Sequence, residues 1–344
     1  MGCCESQNPN LRKETLISYL KQAIQENDLQ KFKFYLHKRP LGTEETLDIN
    51  YCIFKAHNNI GLNLPCLCVL EGRLNHYKYI HKRFTILIQN TENILGLYKL
   101  SALSILCAKG YSDFLEFYLP LALSINVKNN ELADSIRICF NEDDSFDDHP
   151  IGLSPIQLAC FYGNINCIKV VKDYFKDSPA PWWLDIHYQD PQSGANGALI
   201  SCESGNYSTI KFLYAIGCDF HRLNNRNENA LQIFLIACKR HKICDKLSIF
   251  KYLVETVKVN LLYEVEETLI VCVFPEIICY IEQVLFKLGT GVRKRELDAK
   301  NDLQFSKESE GIDVGQGIVS SGFLDELGVS LDLNCRQEGL QGDG

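Results

Sequence analysis

Reactive chemistry is most concentrated in the first six residues, Met1-Gly2-Cys3-Cys4-Glu5-Ser6. Gly2 behind Met1, with Ser6 four positions further on, fits the pattern M-G-x-x-x-[ST] for myristoylation of the glycine amine. Cys3 and Cys4 stand where a palmitoyl transferase acts on a chain that already carries myristate. One myristoyl chain holds a protein to a bilayer only marginally, with a constant on the order of 10⁴ M⁻¹. A second chain adds roughly 0.8 kcal/mol per buried CH₂ and makes attachment stable. The residues therefore predict a doubly acylated membrane anchor over 1–14.

No other stretch offers chemistry of comparable density. The sequence holds no Walker loop, no G-x-G-x-x-G, no H-E-x-x-H and no G-x-S-x-G. Its 16 cysteines are scattered, without CxxC spacing, and Cys66-Leu67-Cys68 is too tight for a zinc knuckle. No secretory h-region precedes them, so a reducing compartment is expected. The apolar run from Leu269 to Phe274 ends at Pro275 and Glu276, far short of the ~18 residues of a membrane span. The expectation is a protein that is anchored to a membrane without crossing it, is not an enzyme, and needs no metal or cofactor.

Charge is unevenly spread. Residues 1–100 carry a net +4 and the remainder −12, for −8 in all. A basic, acylated end suits an anionic cytoplasmic leaflet, which repels an acidic remainder. The basic residues (Lys31, Lys33, Lys38, Arg39, Lys78, Lys82, Arg83) are dispersed and form no compact block, which also reads as ordinary solvated helix faces. With no concentrated basic stripe, nucleic acid is not the expected partner.

The elements that must carry these features repeat. Ser101–Gly110, Ser154–Gly163 and Asn196–Gly205 align without gaps. Each is a turn opener and a short apolar helix closed by glycine, followed by a second helix with apolar residues at helical spacing. Gln22–Leu29 leads likewise into Phe32, Tyr35 and Leu36, with Asn27 where the glycine would be. Residues 64–88, Asn229–Gln232 and Glu267–Leu269 open weaker copies. This unit resembles the ankyrin repeat: Ser154-Pro155-Ile156-Gln157-Leu158-Ala159 stands for T-P-L-H-x-A. Gly217-Cys218-Asp219-Phe220-His221 stands for the loop pattern G-A-D-V-N, and Leu184–His187 and Leu47–Asn50 read the same way. The resemblance implies an all-α ankyrin-repeat solenoid of about seven degenerate helix-turn-helix units over residues 15–289. It also places Cys107, Cys160 and Cys202 where the family usually carries buried alanine, a structural role for a small thiol.

The glycines at 110, 163 and 205 are 53 and 42 residues apart, against about 33 per repeat. The excess falls in joining loops, one with the acidic run Glu142–Asp148, the other with Trp182 and Trp183, the only tryptophans, which read as a plug for the enlarged gap between units or, for one of them, as an aromatic anchor for a partner. The acidic run reads as an open spacer or as a dock for a basic partner. Residues 290–344 are Gly-rich and acidic and are expected to be a disordered tail. The resemblance puts the binding surface at the loop tips of the middle units: Trp183, Tyr188, Asp190, Arg222, Asn224 and Asn225. The function expected is a membrane-tethered scaffold or adaptor that binds a protein partner at the cytosolic face of a membrane. The alternative is a soluble ankyrin-type regulatory or targeting subunit of an enzyme. No small-molecule substrate is expected.

Overall fold

The computed structural model describes residues 13–38, 48, 50, 54–55, 61–84, 86, 101–126, 153–191, 193–241 and 243–289. The acylation residues Gly2, Cys3, Cys4 and Ser6, the acidic run 142–148 and the segment 290–344 lie outside them. Among the described residues the chain is all-α but for one minimal antiparallel ladder, Phe54 with Leu62 and Lys55 with Gly61. The sequence reading had no place for that ladder.

Among the described residues fourteen helices come as seven pairs in sequence. They are α1 (Lys13–Gln25) with α2 (Leu29–Leu36), α3 (Leu64–Leu70) with α4 (Leu74–Arg83), and α5 (Ala102–Lys109) with α6 (Ser112–Asn126). Then come α7 (Pro155–Tyr162) and α8 (Ile165–Tyr174), α9 (Gly197–Ser204) and α10 (Tyr207–Ala215). The last are α11 (Ala230–Arg240) with α12 (Lys246–Glu255) and α13 (Val265–Val271) with α14 (Pro275–Lys287). The chain divides into two compact units. Of the described residues the first takes those up to 126 and 166–178, the second 153–165 and 179–289.

In the first unit α1 buries Leu16, Leu20, Ala23 and Ile24, spaced so that one helical stripe faces inward. Each such Leu or Ile side chain contributes about 1.5–3 kcal/mol of burial. Asp28 caps α2, its Oδ1 accepting from the amides of Gln30 and Lys31 at 3.0 and 2.9 Å. The turn before it needs a left-handed residue, and Asn27 supplies it with φ 58°. Helices α1, α3 and α5 pack in a row, and α2 packs on α4. Cations bind the helix ends to one another. Arg73 Nε and Nη2 donate to the carbonyls of Ile24 and Gln25, both at 2.8 Å, and Lys109 Nζ donates to that of Leu70 at 3.1 Å. These carbonyls lie in the last turns of their helices, where intrahelical amides run out, and that of Ile24 also accepts from the Asn27 amide at 3.1 Å. Tyr77 is fully buried, its ring 5.1 and 5.8 Å from those of Phe114 and Tyr118.

In the second unit the first helices α7, α9, α11 and α13 lie side by side, and α12 packs on α14. The N-termini of α7, α9 and α11 share one device. Ser154 and Gln157 form a capping box on α7, and Gln157 Nε2 then reaches the Ala195 carbonyl at 3.2 Å. Asn196 caps α9 and donates from Nδ2 to the Asp219 carbonyl at 2.8 Å. Asn229 caps α11 in a box with Gln232 and reaches the Asn260 carbonyl at 3.4 Å. Each cap thus serves its own helix and also fixes the loop that precedes the next pair. Gly163 ends α7 with φ 76°, the left-handed cap that favours glycine.

Candidate functional site

The loops before α9 and α11 contain five of the six residues expected to bind, and both open in the same way. Asp185 Oδ1 accepts from the His187 amide and Asp219 Oδ1 from the His221 amide, each at 2.9 Å. Asp48 with Asn50 (2.9 Å) and Asn260 with Leu262 (3.0 Å) repeat the contact. This side-chain turn is the physical content of the Asp-x-His and Asp-x-Asn spacing in the sequence.

Beyond the opener the first loop folds on itself. Asp190 Oδ2 accepts from the Ser193 amide at 2.6 Å and from Ser193 Oγ at 2.7 Å. The Asp190 amide donates to Ala195 O at 2.9 Å, and its carbonyl accepts from the Gly194 amide at 2.7 Å. Gly194 has φ 71°, and a Cβ there would strike Asn225 of the second loop, so only glycine lets the loops approach. Asn225 spans the gap, its amide donating to Ser193 O at 3.0 Å and its Nδ2 to Pro191 O at 2.7 Å. Asn224 organises the second loop: its Oδ1 accepts from the amides of Arg226 (2.9 Å) and Glu228 (2.8 Å), and its Nδ2 donates to Glu228 Oε2 at 2.6 Å.

These bonds show how the residues of the expected binding set are placed. Asn224, Asn225 and Asp190 spend their polar groups inside the loops and are builders of the surface. Trp183, expected as an anchor, is 3% exposed and packs in the core, because the short 3₁₀ turn Trp182–Leu184 turns it inward. Its neighbour Trp182 is the outward one, 37% exposed, with its ring 4.9 Å from that of half-buried Tyr188. Arg222 is exposed, with Nε 3.3 Å from Asp219 Oδ2 and Nη1 donating to Gln189 Oε1 at 3.0 Å. Gln189 was missed in the sequence and is the hinge pin of the site. Its Nε2 donates to Gly194 O at 2.6 Å and Leu223 O at 3.1 Å, which ties Tyr188 in one loop to Arg222 in the other. No local signal marks a glutamine for that role.

The arrangement suits recognition: an aromatic pair and a guanidinium held on braced loops. Among the described residues the free cysteines of this unit are buried, apart from Cys279, which is exposed on α14. Cys160 and Cys202 are fully buried, and burial raises the thiol of Cys160 and pushes those of Cys218 and Cys238 up to about 12. They stay protonated at neutral pH. In the first unit Cys107 is buried likewise, and Cys167 is pushed up to about 12. Among the described residues no three His, Cys, Asp or Glu side chains gather as a metal site, and no helix is long and apolar enough to cross a membrane.

No protein-family model matches the chain. No curated protein matches it either. Among solved structures it is similar to a chain in the complex of a predatory endopeptidase from Bdellovibrio bacteriovorus with an immunity protein. The identity is 14%, the match covers 68% of this chain and 96% of that one, and the TM-score is 0.39. At that level the likeness fixes neither fold nor activity.

Proposed function

We propose that this chain is a membrane-tethered scaffold of the ankyrin-repeat kind, which captures a protein partner at the cytosolic face of a membrane. The observation that carries the binding role is the braced double loop, where Gln189 and Asn225 pre-order a surface bearing Trp182, Tyr188 and Arg222. Pre-ordering removes entropy that association would otherwise have to overcome. The repeat reading is supported by the seven helix pairs, by left-handed turns at Asn27, Gly72, Gly110, Gly163 and Gly205, and by the recurring Asx openers of the loops. The tether rests on Gly2, Cys3, Cys4 and Ser6. Partner capture is the reading this braced surface supports.

The test is fatty-acid labelling with membrane fractionation in a eukaryotic cell. The intact chain should incorporate myristate and sediment with membranes, and Gly2→Ala should release it. Cys3→Ser with Cys4→Ser should keep myristate and lose stable retention. Equal distribution of the intact chain and Gly2→Ala would refute the tether and favour a soluble regulatory subunit.

A further inference from the structure

Folding brings four of the dispersed basic residues of the first unit, Lys33, Lys38, Lys78 and Arg83, together around α2 and α4. Helices α2 and α4 lie side by side there, with Tyr79 between them. His37 Nε2 is 2.7 Å from the Tyr79 hydroxyl, while the Lys33 ammonium and Arg83 guanidinium stand 5.1 and 5.8 Å from its ring centre. On one side Lys38 sits 4.5 Å above Phe34, a phenylalanine that is 53% exposed. On the other Lys78 sits 5.1 Å above Phe117 of α6. Four cations are therefore each placed over an aromatic ring. Lys82, also exposed, adds a fifth cation on α4.

No carboxylate occurs in residues 29–38 or 74–84. Glu26 and Asp28, at the edge, are held by Lys31 at 3.1 and 3.8 Å. Asp113 and Glu116 are exposed on α6. A strongly basic face is left on a chain whose net charge is −8.

We infer that the α2–α4 face is a docking surface for an anionic lipid bilayer. Rings that carry a cation above them match the headgroup layer, where an aromatic body sits at the apolar boundary and the ammonium at the phosphates. The place of the face in the chain selects a bilayer over an acidic protein. Only eight residues separate Cys4 from Lys13, the first residue of α1, and fully extended they span about 30 Å. A bilayer that holds acyl chains at Gly2 and Cys3 or Cys4 is thus always within one short tether of α1, the helix on which α2 packs. This proximity rests on the tether proposed above, whereas the charge and ring pattern does not.

The test uses the full chain without acylation, sedimented with vesicles of phosphatidylcholine alone or with about one third phosphatidylserine. Binding is expected only with phosphatidylserine, and it should weaken as salt is raised. Lys33→Gln, Lys78→Gln and Arg83→Gln together should lower partitioning roughly 100-fold, at about fivefold per cation. Three neutralisations in the second unit, Lys211→Gln, Lys239→Gln and Lys287→Gln, should leave it unchanged. Should the first triple variant fold poorly by circular dichroism, Lys38→Gln with Lys82→Gln leaves the Tyr79 cluster intact and should lower partitioning roughly 30-fold. Equal binding to neutral and anionic vesicles, no binding, or undiminished binding by folded variants would overturn the inference. Binding that emerges only after residues 142–148 are deleted would overturn it too, assigning the face to the chain's own acidic run. Because the protein is unacylated, failure here leaves the acyl tether standing, and an unmodified Gly2 in cells leaves this face standing.

Discussion

Replacing Gly163 by alanine separates two costs that the turn combines. Gly163 has φ 76°, and alanine in the left-handed region costs roughly 1–2 kcal/mol. Its new Cβ would also meet the Asn206 carboxamide, striking Nδ2 and lying 2.8 Å from Cγ. Asn206 is not a bystander: its Oδ1 caps α10 by accepting from the Thr209 amide at 3.1 Å. Pushing that side chain away forfeits a cap worth about 1 kcal/mol. Gly163→Ala should therefore destabilise the second unit by about 2–3 kcal/mol, which lowers a melting temperature by roughly 5–10 °C for a unit of this size. Gly217 is the internal control. Its φ is 84°, but an added Cβ meets nothing within 4 Å, so Gly217→Ala should show the backbone cost alone. Asn206→Ala should lose the cap, and the double variant with Gly163→Ala should fall short of the summed losses by about 1 kcal/mol, since the cap is lost once. The assay is thermal and urea unfolding followed by far-UV circular dichroism. A Gly163→Ala chain no less stable than Gly217→Ala, or an additive cycle, would refute this account of the turn.

In the first unit His76 is fully buried with its edge against Phe32, and no hydrogen bond of good geometry reaches either ring nitrogen. Burial lowers its pKa, and His241 in the second unit is lowered by burial as well. A neutral buried imidazole contributes its full stability above the unfolded value near 6.5 and loses it as pH falls below that. The melting temperature should thus drop in mild acid, and His76→Leu should flatten part of that drop. Asn224→Ala should destabilise the second unit by about 1–2 kcal/mol in urea unfolding, since it leaves the loop amides of Arg226 and Glu228 without their acceptor. Tyr188→Ala with Arg222→Ala should weaken partner capture in quantitative pull-down at least tenfold, with little change in melting, because both side chains stand outside the core. Unchanged capture by that folded double variant would move the binding surface elsewhere.

Positions that govern only their own neighbourhood were legible in the residues themselves. Ser154, Asn196 and Asn229 mark helix starts because a cap bonds amides two or three residues on. Gly163, Gly205 and Asn27 mark helix ends because a left-handed turn excludes most side chains. Spacing gave the seven helix pairs, and the shared register gave the buried Cys107, Cys160 and Cys202. The ladder at 54–55 and 61–62 escaped because two-residue strands carry no period to read.

What the tertiary structure decided were matters of distance and direction. Trp182 and Trp183 are adjacent and identical in type, and only the 3₁₀ turn sends one outward and one into the core. Asn224 and Asn225 looked equally available for binding until the neighbouring loop and the chain ahead supplied partners for their amides. Lys33 and Arg83 are fifty residues apart and read as scattered charges, yet both stand over the ring of Tyr79. Sequence fixes caps, turns and periods because those interactions close within a few residues. Which polar groups remain outward, and which charges share a face, depends on contacts between distant segments that only packing brings together.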